Sequence, residues 1–352
     1  STSLRYKGEL VQALVKEVAL QKPFLEGETV ETIYFGGGTP SLLTTEEVRL
    51  LLQTIYREFN VTADAELTLE ANPDDITTEK LAGWKGEGIN RLSIGIQSFF
   101  EEELRWMNRA HNAGQAEKSI ELSLAAGFKN FSIDLIYGSP LLTDDMWQQN
   151  VQKAIDYGIT HLSCYALTVE EKTPLHKLIH TAQKEAVDSD KQARQFLTLM
   201  QWLKSAGYEH YEVSNFALPG YRSKHNSAYW QGKKYLGLGP SAHSYNGRYR
   251  MWNKPNNNLY IRSINEGIIP QEKEELTTTE ILNETIMISL RTAEGLDLQR
   301  VQQQFGENKK AILEKGIQKH VTHNLLQRNG ELVQLTENGM LMADGIAADL
   351  FF

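Results

Sequence analysis

Between Leu10 and Ala166 the chain alternates helical and strand periods, and this alternation restricts its fold more than any other feature. An apolar stripe at Leu10, Val11, Leu14, Val15 and Val18 predicts a first helix. A strand at residues 32–35 follows and breaks on three glycines. Thr44 with Glu47 predicts a capping box, opening a helix whose apolar face is Val48, Leu51, Leu52, Ile55 and Phe59. Further strands read at residues 66–70, 91–96, 131–136 and 161–166, with helical patterns at 101–107, 115–126 and 144–157 between them. Strand starts lie roughly 25–40 residues apart, the span of one βα unit. The fold class is α/β, a parallel barrel or doubly wound sheet with right-handed crossovers.

The pattern loosens after Lys172. A charged helix near residues 189–206 precedes a strand at 209–213. Residues 219–258 then read as a loop-rich stretch with few secondary elements, crowded with Gly, Asn, Tyr and Trp, and long irregular segments are often functional. Helices near 280–290, 298–305 and 310–321, a hairpin over 325–335 turning at Asn329-Gly330, and a last helix from Asn338 predict a winged-helix-like module. The division expected is 1–215 for the partial barrel, 216–276 for a connecting region, and 277–352 for the module.

Charge argues against nucleic acid as a partner. Residues 271–352 hold 13 acidic and 8 basic side chains, net −5, and the whole chain is −9. No apolar run approaches the ~18 residues of a spanning helix, and no signal-peptide pattern opens the sequence. The one cysteine, Cys164, excludes an internal disulfide and a multi-cysteine metal site within these residues, and fits a reducing cytosol.

The strongest local signal is Gly36-Gly37-Gly38-Thr39-Pro40-Ser41, directly after a strand. Three glycines let a ligand approach the backbone closely, at the end of a barrel where active sites are built; a tight turn is the plainer reading. The spacing is neither that of a dinucleotide fingerprint nor that of a P-loop. Glu70 and Gln97 end the next two strands, and Asp134 sits inside the apolar run Ile133-Asp134-Leu135-Ile136. A carboxylate there is costly unless paired or solvated in a cavity. Arg109 could answer a ligand carboxylate or simply face solvent.

Among the histidines, His176 and His180 stand at i, i+4 without a third ligand and read as exposed helix residues; His320 and His323 read as surface. His225 and His243 lie among Tyr221, Tyr229, Trp230, Tyr235 and Tyr245. That setting suits an axial ligand to heme iron packed on a flat macrocycle, and equally a satisfied structural histidine.

Taken together, these blocks resemble the radical S-adenosylmethionine proteins related to oxygen-independent coproporphyrinogen III oxidase. The likeness spans nearly the whole chain, through the glycine loop, Glu70-Ala71-Asn72-Pro73, Gly95–Phe99, Asp134–Gly138 and Glu212–Ala217. His225-Asn226-Ser227-Ala228-Tyr229-Trp230 resembles the His-Asn-x-x-Tyr-Trp motif of the heme chaperones of the HemW type. The resemblance implies a partial (β/α)6 barrel lacking its first strand. It implies that Gly37, Gly38 and Thr39 hold the methionine end of S-adenosylmethionine, with Glu70, Gln97, Arg109, Asp134 and the Ala166 backbone completing its pocket. It implies His225 as the heme ligand. A [4Fe–4S] cluster is expected too, on a Cys-x-x-x-Cys-x-x-Cys segment upstream of Ser1, since Cys164 alone cannot hold one. The function implied is binding of heme and its delivery to respiratory apoproteins, in the cytoplasm at the inner membrane face. Radical decarboxylation of coproporphyrinogen is the alternative.

Overall fold

The computed structural model describes residues 6–169, 174–181 and 184–352, those of 174–176 by their backbone alone. Five strands pair in consecutive parallel order: β1 (Val30–Phe35), β2 (Val61–Ala71), β3 (Arg91–Gln97), β4 (Phe131–Tyr137) and β5 (His161–Ala166). An antiparallel hairpin of β6 (Glu209–Glu212) and β7 (Asn215–Ala217) continues the sheet, with β7 against β5. The result is a curled, seven-stranded half-barrel, in keeping with the expected partial barrel.

The period of two along each strand decides what the two faces do. Leu67, Leu69, Leu92, Ile94, Ile96, Ile133, Leu135, Leu162 and Cys164 point outward and are almost wholly buried, packed with Trp84 and Trp147. The alternate positions, Thr68, Glu70, Ser93, Ser132, Asp134 and Ser163, are polar and face inward. The helix Thr45–Glu58 begins at the expected capping box, with Glu47 N–H donating to Thr44 Oγ1 at 3.2 Å and Thr44 N–H to Glu47 Oε2 at 2.8 Å. It buries Val48, Leu51 and Leu52.

Residues 219–258 are loop-rich, as expected, with a few short elements among the loops. They hold a helix, Lys224–Trp230, and two strands, β8 (His243–Tyr245) and β9 (Tyr249–Asn253). With β10 (Gln271–Glu275) these strands make a small antiparallel sheet. The helix buries none of its own residues, so it leaves no apolar stripe. Every residue of β10 is exposed, so its Gln-Glu-Lys-Glu-Glu run lacks strand alternation. Glu17, on the first helix (Lys7–Leu20), anchors this region. Its buried carboxylate accepts from Gly239 N–H at 2.7 Å, Asn253 Nδ2 at 2.7 Å and Tyr260 Oη at 2.5 Å.

At the C-terminal end, helix Thr278–Leu290, β11 (Leu296–Asp297), helices Leu298–Phe305 and Glu307–Thr322, then β12 (Leu326–Asn329) and β13 (Leu332–Leu335) follow in the element order of a winged helix. Their sheet order is β11-β13-β12. The module is fastened to β6 by Arg291, which reaches the buried Glu212 at 3.0 Å and Asp344 at 2.7 Å. His320, expected at the surface, is a buried residue of the helix Glu307–Thr322, 6% exposed; burial holds its pKa down. His323 is exposed, as is His180; the side chain of His176 lies outside the described residues.

Candidate functional site

The inward polar face of the half-barrel forms a cleft. Glu70, Ser93, Ser132 and His161 lie in register across four strands, and Asp134 pairs with Ser163 one row on. Burial pushes the Asp134 carboxyl up to about 7, and the nearby Glu70 adds to this; a hydrogen bond from Ser163 and the charges of Arg109 and Arg91 oppose it. The Thr68 hydroxyl is buried here without a partner.

The glycine loop follows β1. Gly37 has φ +81°, which favours glycine, and its N–H donates to Glu70 Oε2 at 3.2 Å. A Cβ on Gly36 would lie 2.5 Å from Tyr34 Cε1 and 2.9 Å from Glu70 Oε1. Beside Gly37 and Gly38 the space is open, with nothing within 4 Å of an added Cβ. Thr39 is exposed at the loop's end. Gln97 and Arg109 converge over Gly95, where an added Cβ would meet Gln97 Nε2 at 3.0 Å and Arg109 Nη2 at 3.3 Å. Arg109 therefore does not simply face solvent; its Nε is buried and unpartnered. Ala166 ends β5 in register with Tyr137. Glu70 and Asp134 line the cleft itself, while the glycine loop joins it through Glu70.

The opposite wall comes from the Lys224–Trp230 helix. Ser223 and Asn226 line the cleft, and the buried Glu66 of β2 accepts the N–H groups of Lys224 and His225 at 3.1 and 3.0 Å. His225 Nδ1 is 2.8 Å from Thr32 Oγ1, and Nε2 is 3.2 Å from the Tyr229 hydroxyl. Its ring stacks on Tyr34 with centroids 4.6 Å apart. Burial lowers its pKa to about 4, so the imidazole is neutral at physiological pH. Tyr229 is 39% exposed and continues an aromatic run to Tyr235 and Tyr245. Trp230 lies under the Arg291 guanidinium, 5.5 Å away. His243 is exposed and stacks on Trp252.

Sequence reasoning missed Tyr34, Glu66, Ser223 and Asn226. Tyr34 was open to discovery, since it stands two positions before the glycines on the same face as Thr32. Ser223 and Asn226 reach the cleft from the cap and first turn of the Lys224–Trp230 helix, and Glu66 supports that helix from β2 without lining the cleft.

The donors present fit S-adenosylmethionine. Open glycine backbone, carboxylates at Glu70 and Asp134, an unsatisfied Arg109 nitrogen and an orphan Thr68 hydroxyl can answer its ammonium, carboxylate and ribose hydroxyls. They do not fit an iron–sulfur cluster. Cys164 is 1% exposed with its thiol pKa raised by burial, and among the described residues no group of three His, Cys, Asp or Glu is placed to hold a metal.

Fold and cleft define a protein of the radical S-adenosylmethionine class. Residues 3–154 match the radical SAM superfamily model, and residues 276–342 match the HemN C-terminal domain. Within that class the chain belongs to the HemW family. It is 35% identical over 339 residues to the heme chaperone HemW of Mycobacterium tuberculosis, covering 96% of this chain and 85% of that protein. To the heme chaperone HemW of Bacillus subtilis it is 32% identical over 319 residues, 90% of this chain and 84% of that one. The structure of coproporphyrinogen III oxidase (HemN) from Escherichia coli superposes with a TM-score of 0.83, over 99% of this chain and 84% of that chain, at 24% identity.

Proposed function

We propose that the chain binds heme through His225 and hands it to respiratory apoproteins, in the cytoplasm at the inner face of the membrane. The observation that carries this reading is the state of His225. Its imidazole is neutral, Nδ1 is fixed by Thr32, and Nε2 meets the partly exposed Tyr229 hydroxyl, which a rotation of that side chain removes. An imidazole whose far nitrogen is held by a hydrogen bond is oriented as a metal ligand needs. The aromatic run from Tyr229 to Tyr245 offers apolar contact for a macrocycle. Relatives of 35% and 32% identity are heme chaperones, which supports the same reading.

In this account the cleft holds S-adenosylmethionine. Gly37, Gly38 and Thr39 receive its methionine end, Glu70 its ammonium and Arg109 its carboxylate, with Gln97 alongside. Asp134 takes ribose hydroxyls and the Ala166 backbone flanks adenine. Bound there, the cofactor would offer its amino and carboxylate groups to a [4Fe–4S] cluster, for which this stretch of chain supplies no ligand set. Coproporphyrinogen oxidation is less favoured, because the likeness to the oxidase is one of fold at 24% identity.

Hemin titration tests the proposal. A Soret band that saturates at one hemin per chain, followed by transfer to an apoprotein such as apomyoglobin, is expected. A linear, unsaturable rise would overturn it.

A further inference from the structure

Tyr34 belongs to both sites. Its hydroxyl donates to Glu70 Oε1 at 2.8 Å, while its ring lies on the His225 imidazole with planes 18° apart. The ring has little freedom to drift, because the backbone of Gly36 leaves no room for even a Cβ between itself and Tyr34 Cε1. Glu70 in turn reaches the glycine loop through Oε2 and the Gly37 N–H. On the other side, His225 is tied through Nδ1 to Thr32, two residues before Tyr34 on β1. One continuous set of contacts therefore runs from Thr32 through His225, Tyr34 and Glu70 to Gly37.

An iron that takes Nε2 of His225 replaces its contact with Tyr229. The imidazole then has three fixed points: iron, Thr32 and the Tyr34 face. We infer that Tyr34 is a positioning residue that couples the two sites, so that an iron porphyrin on His225 holds Tyr34, Glu70 and the glycine loop in the arrangement that receives the amino-acid end of S-adenosylmethionine. This rests on the function proposed above. The sign is positive, because the second ligand finds already ordered the contacts that the first has fixed. The effect is also reciprocal: each ligand tightens the other by the same factor.

Calorimetry with S-adenosylmethionine, in the presence and absence of saturating hemin, reads this factor directly. The native chain is expected to bind S-adenosylmethionine about 3–10-fold more tightly with hemin bound. Tyr34→Phe keeps the stack and loses the hydroxyl. Whatever it does to either affinity alone, the ratio should fall to about one. Glu70→Gln keeps an acceptor for Tyr34, so its ratio should stay above one even as its affinity for S-adenosylmethionine drops. A Tyr34→Phe ratio equal to the native one would overturn the coupling. So would a native ratio of one with both ligands bound, and that result would leave the heme reading standing. Loss of saturable hemin binding from the native chain would overturn both.

Discussion

The carboxylate of Glu66 accepts the backbone N–H of His225 at 3.0 Å, across a separation of 159 residues. It also accepts the Lys224 N–H at 3.1 Å and the Ser223 hydroxyl at 3.4 Å. A negative charge at the first turn satisfies donors that a helix leaves unpaired and suits its dipole. The short helix that buries none of its own side chains is thus held from outside, by β2.

Removing that anchor should loosen the helix that carries His225. Glu66→Ala leaves buried donors unpaired and should cost on the order of 1–3 kcal/mol in denaturant unfolding. Hemin affinity should fall about tenfold or more with it. Glu66→Gln, which retains an acceptor oxygen, should recover part of both. Native hemin affinity in Glu66→Ala would mean the anchor does not position His225.

This contact marks where the sequence stops being readable. The parallel strands, the Thr44–Glu47 capping box and the hairpin over 325–335 follow local rules of period and turn chemistry and were legible, though the hairpin turns at Gly330-Glu331, one residue past the expected Asn329-Gly330. So were Glu70, Gln97 and Asp134, as polar residues where an apolar strand should continue. The Lys224–Trp230 helix was not, because it has no apolar stripe: Ser223 caps it at the Asn226 N–H, and Glu66 holds its first turn from β2. β10 escaped because a pairing with β9 makes a strand of five exposed residues. His320 was misplaced because a lone histidine in a charged helix carries no sign of the neighbours that cover it.

Asp134 gives a pH signature. Its carboxyl rises from 3.8 to about 7 in the folded chain. The folded form therefore binds more protons between those values, and the stability tied to the raised pKa is fully present below 3.8 and lost as pH rises through about 7. Asp134→Asn removes this dependence. Its stability relative to the native chain should grow by roughly 2–3 kcal/mol between about pH 5 and pH 8. A difference that stays flat across this range would show that the carboxyl titrates as it does in water.

The glycine loop separates packing from ligand space. At Gly38 an added Cβ meets nothing within 4 Å, so Gly38→Ala should change stability by no more than about 0.5 kcal/mol. The new methyl group occupies the space assigned to S-adenosylmethionine, so calorimetric affinity should fall about tenfold. Gly36→Ala instead collides with Tyr34 and should lower both stability and affinity. Unaltered affinity in Gly38→Ala would put the methionine end elsewhere.

Glu17 tests the inner support of the small sheet. Three donors converge on this buried carboxylate from Gly239, Asn253 and Tyr260. Glu17→Ala strands all three, and chemical denaturation should register a loss of about 3 kcal/mol or more. A loss under about 1 kcal/mol would mean that water replaces the carboxylate.

The central claim is that His225 Nε2 ligates heme iron, and the hemin spectrum of His225→Ala tests it most directly. The native chain should give a saturable Soret band of an imidazole-ligated iron. Because burial holds the imidazole pKa near 4, that band should be flat from about pH 5.5 to pH 8. His225→Ala should lose the band or shift it, and added imidazole should restore the native spectrum by filling the vacated position. An unchanged Soret band and affinity in His225→Ala would contradict the account.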